Sequence, residues 1–160
     1  MSIAIGDRIP DVSLSTVADG APKPISSAEI FSGKRVVLFA VPGAFTPTCS
    51  ARHLPGYVEQ LDALKAKGID TVACLAVNDA FVMGAWAKGQ DVPAEILMLA
   101  DGNAALTRAL GLELDATGFG MGIRAKRFAL VANDGVVEQL WVEAPGEFKV
   151  SAADAVLAAL

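Results

Sequence analysis

A chain of 160 residues, 53% hydrophobic and 19% charged, has the size and makeup of one compact domain spanning residues 1–160, which argues against a multidomain or disordered reading. Thirteen Lys and Arg stand against eighteen Asp and Glu, a formal charge of -5; that balance repels phosphate backbones and anionic membrane surfaces, so nucleic acid is not an expected partner. No apolar run approaches the roughly 20 residues of a membrane helix, and Met1 to Asp7 lacks the basic start and long apolar segment of a signal peptide, so the expected location is the cytoplasm, with no membrane partner.

Taken in chain order, the first distinct feature is a Gly/Pro-bearing stretch from Ala18 to Pro24, which reads as a loop too short to separate domains. Val36 to Val41 is a near-continuous apolar run stopped by Pro42-Gly43, the pattern of a strand covered on both faces. After Thr46-Pro47-Thr48 a helical pattern begins, with Leu54, Val58, Leu61 and Leu64 at three- and four-residue intervals until Gly68, and Pro55 predicts a kink near its first turn. Thr71 to Val77 reads as a second buried strand, with Asn78-Asp79 capping a helix that carries Phe81, Val82 and Trp86. Ile96 to Ala100 is a third strand, and Asp101 to Leu110 reads as a capped helix closed by Gly111. Arg127 to Ala132 and Val136 to Val142 flank Asn133-Asp134-Gly135, a hairpin signal. Ser151 is placed to cap a last helix, Ala152 to Ala159. Parallel strands joined by helices and followed by an antiparallel hairpin predict an α/β fold, a mixed sheet with helices on both sides, of thioredoxin-like form.

The chain has two cysteines, Cys49 and Cys74. Cys49 falls where a buried strand turns into a helix, and unpaired backbone N–H groups with the positive end of the helix dipole favour thiolate over thiol at such a junction. A dithiol oxidoreductase would carry Cys-x-x-Cys here; Thr46 takes the first of those positions, offering sulfur a hydroxyl and no local disulfide partner. An activated sulfur beside a hydroxyl that both donates and accepts suits a small oxygen-containing electrophile. Cys74 lies inside an apolar strand and reads as an inert core thiol.

The pattern Pro42-x-x-x-Thr46-x-x-Cys49 resembles the active-site signature of peroxiredoxins. Pro42-Gly43-Ala44-Phe45-Thr46-Pro47-Thr48-Cys49-Ser50, His53-Leu54-Pro55-Gly56, Ala73 to Val82, Lys126-Arg127-Phe128 and Asp134-Gly135 look like the type II, or peroxiredoxin 5, subfamily, a similarity running from Gly6 to the end. The resemblance implies a thioredoxin fold and thiol-dependent reduction of hydrogen peroxide and alkyl hydroperoxides, with no cofactor or metal. It makes Cys49 the peroxidatic nucleophile, Thr46 the hydroxyl that positions peroxide, Pro42 the shield of the sulfur, and Arg127 the cation that holds the thiolate. Some members carry a resolving cysteine near the C-terminus, but Gly135 to Leu160 contains none, so the expectation is a one-cysteine cycle regenerated by glutathione with glutaredoxin, or by thioredoxin. A homodimer packed near the active-site loops is also implied, with Phe45, Phe81 and Trp86 partly exposed in the monomer.

Other assignments compete on spacing alone. His53, the one histidine, lies four residues after Cys49, a helical spacing that would suit the Cys-His pair of a cysteine hydrolase; the alternative is that it packs or points to solvent near the kink, and the resemblance uses no catalytic histidine there. Arg124, three residues before Arg127, is the substitute cation if the register differs. One His and two Cys fall short of a four-ligand zinc site. A redox sensor signalling through oxidised Cys49 is the non-enzymatic alternative.

Overall fold

The computed structural model describes residues 1–160. Seven strands form one sheet in the order β2 (Ala21–Ser26), β1 (Ser13–Ala18), β5 (Ile96–Ala100), β4 (Thr71–Ala76), β3 (Arg35–Ala40), β8 (Phe128–Asn133) and β9 (Val136–Val142). The three apolar runs become its centre: β3 (Arg35–Ala40), β4 (Thr71–Ala76) and β5 (Ile96–Ala100), paired in parallel. Side chains alternate across this centre. Val37, Phe39, Cys74 and Ala76 join the core under α2 (Leu54–Glu59), α3 (Leu61–Ala66), α4 (Ala80–Gly89) and α6 (Ala153–Ala158). Val36, Leu38, Ala73 and Leu75 join the opposite core with α1 (Ser27–Phe31) and α5 (Ala105–Ala109). Both faces being covered explains why these strands read as unbroken apolar runs.

The Asp134-Gly135 hairpin forms as expected, both turn residues having positive φ, between β8 (Phe128–Asn133) and β9 (Val136–Val142). β8 pairs antiparallel with β3, Phe128 opposite Ala40. That register sets Arg127, one residue before β8, beside the loop that leaves β3. No helix is long and apolar enough to cross a membrane.

Four local expectations need correction. The stretch from Ala18 to Pro24 is a hairpin: β1 (Ser13–Ala18) and β2 (Ala21–Ser26) turn at Asp19-Gly20, both with positive φ. Pro22 and Pro24 are accommodated because β2 is an edge strand with no ladder to supply on its outer side. The helix expected from Asp101 is shorter, Ala105–Ala109, yet Asp101 still caps it by accepting from the N–H groups of Leu106 and Thr107. The last helix starts at Ala153 without a side-chain cap, because the Ser151 hydroxyl donates instead to Glu143. A further ribbon, β6 (Glu113–Asp115) with β7 (Ile123–Ala125), stands apart from the main sheet.

The fourth correction bears on the site. The chain enters its helix at Pro47, a position where a missing N–H costs nothing. Cys49–His53 then forms a π-helix, closed by the Leu54 N–H donating to the Cys49 carbonyl, before α2 begins. Pro55, in the first turn of α2, has no N–H to give that stretch. The kink expected there is therefore a π-bulge, a distortion that widens the turn carrying Cys49.

Candidate active site

The loop from Val41 to Thr46 is closely constrained. The Ala44 N–H donates to Asn78 Oδ1 at 3.0 Å, tying it to the end of β4. Phe45 takes φ 66, a left-handed conformation costly for a bulky residue and found where surrounding structure imposes it. Gly43 is approached so closely that a Cβ there would meet Arg124 Nη1 at 2.9 Å and Thr46 Cγ2 at 3.2 Å. Glycine is what allows the loop to pass between them.

Cys49 is fully buried, and its sulfur lies 2.8 Å from Thr46 Oγ1 and 3.2 Å from Arg127 Nη2. Thr46 Oγ1 is also 2.7 Å from the Gly43 carbonyl. The hydroxyl has one proton for two acceptors. When that proton goes to Gly43, the oxygen turns its lone pairs toward the sulfur side, ready to accept from a thiol or from a hydroperoxide. Arg127, always charged and donor-only, is the cation at the sulfur.

Three of the four predicted site residues thus converge on one atom, and Pro42 borders a neighbouring cavity of about 430 Å³ with Thr48, Leu114, Phe119 and Arg127. Arg124 does not reach the sulfur: its Nε donates to the Met121 carbonyl at 2.9 Å and its Nη1 to that of Pro42 at 3.4 Å. Cys74 is buried in β4, and burial with the nearby Cys49 charge pushes its thiol pKa well up. Phe45 and Phe81 are 59% and 72% exposed, whereas Trp86, expected to be partly exposed, is fully buried with its Nε1–H donating to Ser50 Oγ. Its indole packs under the π-helix, and a buried indole needs such a partner.

His53 packs inside and does not form a Cys-His pair. Its Nδ1 meets Arg127 Nη1 at 2.9 Å and its Nε2 meets the Ser151 carbonyl at 3.1 Å. Burial first and the Arg127 charge second lower its pKa to about 3, against the opposing pulls of the Ser151 carbonyl and Glu143. Glu143, 8% exposed, accepts at Oε2 from the Lys149 N–H, the Ser151 N–H and the Ser151 hydroxyl. Burial pulls the Glu143 carboxyl upward, but those hydrogen bonds outweigh it and hold the group below its ordinary value. Glu143 carried no signal in the sequence and Ser151 read only as a helix cap, since both act here through contacts made only on folding.

The His53 shift makes stability pH-dependent. Between pH 6.5 and about 3 the unfolded chain binds a proton at His53 that the folded chain refuses, so stability falls as pH falls. From about pH 7 to pH 5 the loss from this group is about 2 kcal/mol, measurable by urea unfolding, and His53→Asn should remove that share of the dependence.

Residues 4–157 match the Redoxin family. The chain is 51% identical to Peroxiredoxin-2E-2, chloroplastic, of Oryza sativa subsp. japonica, across 99% of this chain and 73% of that one. Among solved structures it is similar to reduced Prx3 from Vibrio vulnificus in complex with hydrogen peroxide, at 54% identity, 98% of each chain covered and a TM-score of 0.93. It is also similar to peroxiredoxin 5 from Alvinella pompejana, at 37% identity, 98% and 96% covered, and a TM-score of 0.86. With this similarity along its whole length, the chain belongs to the peroxiredoxins, thiol-dependent peroxidases, and among them to the type II, peroxiredoxin 5-like group.

Proposed function

We propose that Cys49 is the peroxidatic nucleophile, oriented by Thr46 and charged by Arg127, and that the enzyme reduces hydrogen peroxide and alkyl hydroperoxides in a one-cysteine cycle. The observation that carries this reading is the sulfur held between a hydroxyl at 2.8 Å and a guanidinium at 3.2 Å.

In the oxidising step the Cys49 thiolate attacks the terminal oxygen of ROOH. The S–O bond forms, the O–O bond breaks, and RO⁻ leaves with the electron pair, taking up a proton to become water or an alcohol. Thr46 accepts the peroxide O–H while donating its own proton to the Gly43 carbonyl, and so aims the oxygen at sulfur. Arg127 stabilises first the thiolate and then the charge developing on the leaving oxygen. Pro42 closes the loop over the sulfur, and the cavity it borders, with Leu114, Phe119 and Pro145, offers an apolar wall for an organic R group. The sulfur is left as a sulfenic acid. One external thiol converts it to a mixed disulfide with loss of water, and a second thiol releases Cys49 as a disulfide of the reductant.

Glutathione with glutaredoxin, or thioredoxin, is the reductant in this cycle, which suits a thiol-rich cytoplasm. Cys74 takes no part: it is buried in a central strand with its thiol held protonated. Cys74→Ser is therefore expected to keep wild-type turnover within about twofold with each reductant, in a coupled NADPH assay. Loss of turnover with every reductant in a normally folded variant would defeat the one-cysteine cycle. Exposed Phe45 and Phe81 support a homodimer through this side of the molecule, testable by sedimentation of Phe81→Asp, which should be monomeric.

A further inference from the structure

Arg127 has to point one terminal nitrogen at a buried sulfur, yet no carboxylate holds it. The ion pairs of the molecule are Arg35–Glu138, Lys65–Glu95 and Lys149–Glu147. What Arg127 has in its place is His53, whose Nδ1 lies 2.9 Å from Nη1 while the other arm of the fork reaches Cys49. A guanidinium has donors and no acceptor, so this contact is a hydrogen bond only when Nδ1 carries a lone pair. The imidazole proton then sits on Nε2 and donates to the Ser151 carbonyl, which also accepts from the Tyr57 hydroxyl at 2.7 Å.

We propose that His53 is a positioning residue, a permanently neutral acceptor that fixes Arg127 on the Cys49 sulfur, with the turn clipped by Glu143 as its anchor. The neutrality matters chemically. A carboxylate in the same place would hold the guanidinium equally well but would offset the positive field the thiolate needs, whereas an imidazole lone pair fixes the geometry and leaves the charge intact. Glu143 supplies its negative charge one step removed, where it is engaged by the Ser151 hydroxyl and by the N–H groups of Ser151 and Lys149.

Around the imidazole the titratable and charged groups are Cys49 on its own element, Arg127 before β8, Tyr57 on α2 and Glu143 after β9. Phe148 closes the remaining side with its ring 4.9 Å away, and Arg52 covers that ring from outside. Phe39 and Tyr57 flank the ring at 5.2 and 5.7 Å. The enclosed ring has no open space into which to swing, and its tautomer is set by the donor at Nδ1 and the carbonyl at Nε2. The low pKa of the ring agrees with a group kept neutral at every physiological pH.

This inference rests on the peroxidase reading, and two measurements separate them. The chain has one histidine, so a nitrogen-15 histidine spectrum of the unmodified protein reports His53 alone. The expected result is the neutral form protonated at Nε2, unchanged between about pH 5 and 8; an imidazolium, or a proton on Nδ1, in that range would overturn the proposal. The second measurement is the pH profile for iodoacetamide alkylation of Cys49, with the rate of oxidation by hydrogen peroxide. His53→Leu should move the alkylation midpoint upward and slow oxidation about 10- to 100-fold. His53→Asn, which keeps an acceptor atom on Cγ, should recover most of both. A folded His53→Leu variant with wild-type profile and rate, or an Asn variant as impaired as the Leu one, would contradict the assignment. Should His53→Leu not fold, the spectrum decides. A wild-type protein no faster with peroxide than free cysteine would remove the peroxidase reading, while the spectrum and the alkylation profile would still test the positioning role.

Discussion

Arg127→Gln is expected to slow the oxidation of Cys49 by hydrogen peroxide about 100- to 1,000-fold, the range seen when one donor aimed at developing charge is removed. Glutamine keeps a polar side chain but loses both the charge and the second arm of the fork. The effect should be this large because no other cation takes over: Arg124 is bonded to the carbonyls of Met121 and Pro42, and the protein as a whole carries a charge of -5. Arg127→Lys should recover only part of the rate, since a point charge at the end of a flexible stem cannot hold His53 and the sulfur together. Stopped-flow fluorescence measures each variant, and a rate within threefold of wild type for Arg127→Gln would remove the guanidinium from the mechanism.

The second large effect is expected at Thr46. Thr46→Val preserves shape and deletes the oxygen, so the sulfur loses its neighbour at 2.8 Å and the Gly43 carbonyl loses its donor. Oxidation should slow about 100-fold or more, an effect of the size associated with one positioned proton-handling group. Thr46→Ser, which keeps the hydroxyl and loses a methyl, should stay within about tenfold of wild type on the same scale. Stability is a useful control, because Thr46 is only half-buried and its loss should not unfold the chain. Equal rates for the Val and Ser variants would show that the oxygen plays no part.

Much of this arrangement was legible before folding. The central strands announce themselves because burial on both faces demands unbroken apolar runs, and Asp134-Gly135 announces its hairpin because few residues accept positive φ. Cys49 and Thr46 are picked out by their place where a buried strand turns into a helix, whereas Arg127 was marked only by the family resemblance. The β1–β2 hairpin was hidden by Pro22 and Pro24, which suggest a loop unless the strand is known to lie on an edge. Position on an edge is a tertiary fact. The π-helix was hidden for a different reason: apolar periodicity from Leu54 onward reports the face that packs, whereas Cys49–His53 is set by which carbonyl the Leu54 N–H reaches. That distinction undid the face argument for His53, because a four-residue spacing places two residues on one side only in a regular α-helix. The contact His53 actually makes joins residues 74 apart, and the Glu143 clip depends on a turn whose serine looked like a helix cap. Residues that act through another residue leave little trace in local pattern.

The most direct test of the site is the second-order rate constant for hydrogen peroxide with reduced protein, read by stopped flow and paired with mass spectrometry of the product. The expected result is oxidation orders of magnitude faster than free cysteine at the same pH, yielding one added oxygen on Cys49 and none on Cys74, and no reaction in Cys49→Ser. A rate close to that of free cysteine, or oxygen found first on Cys74, would contradict the assignment of Cys49 as the peroxidatic residue.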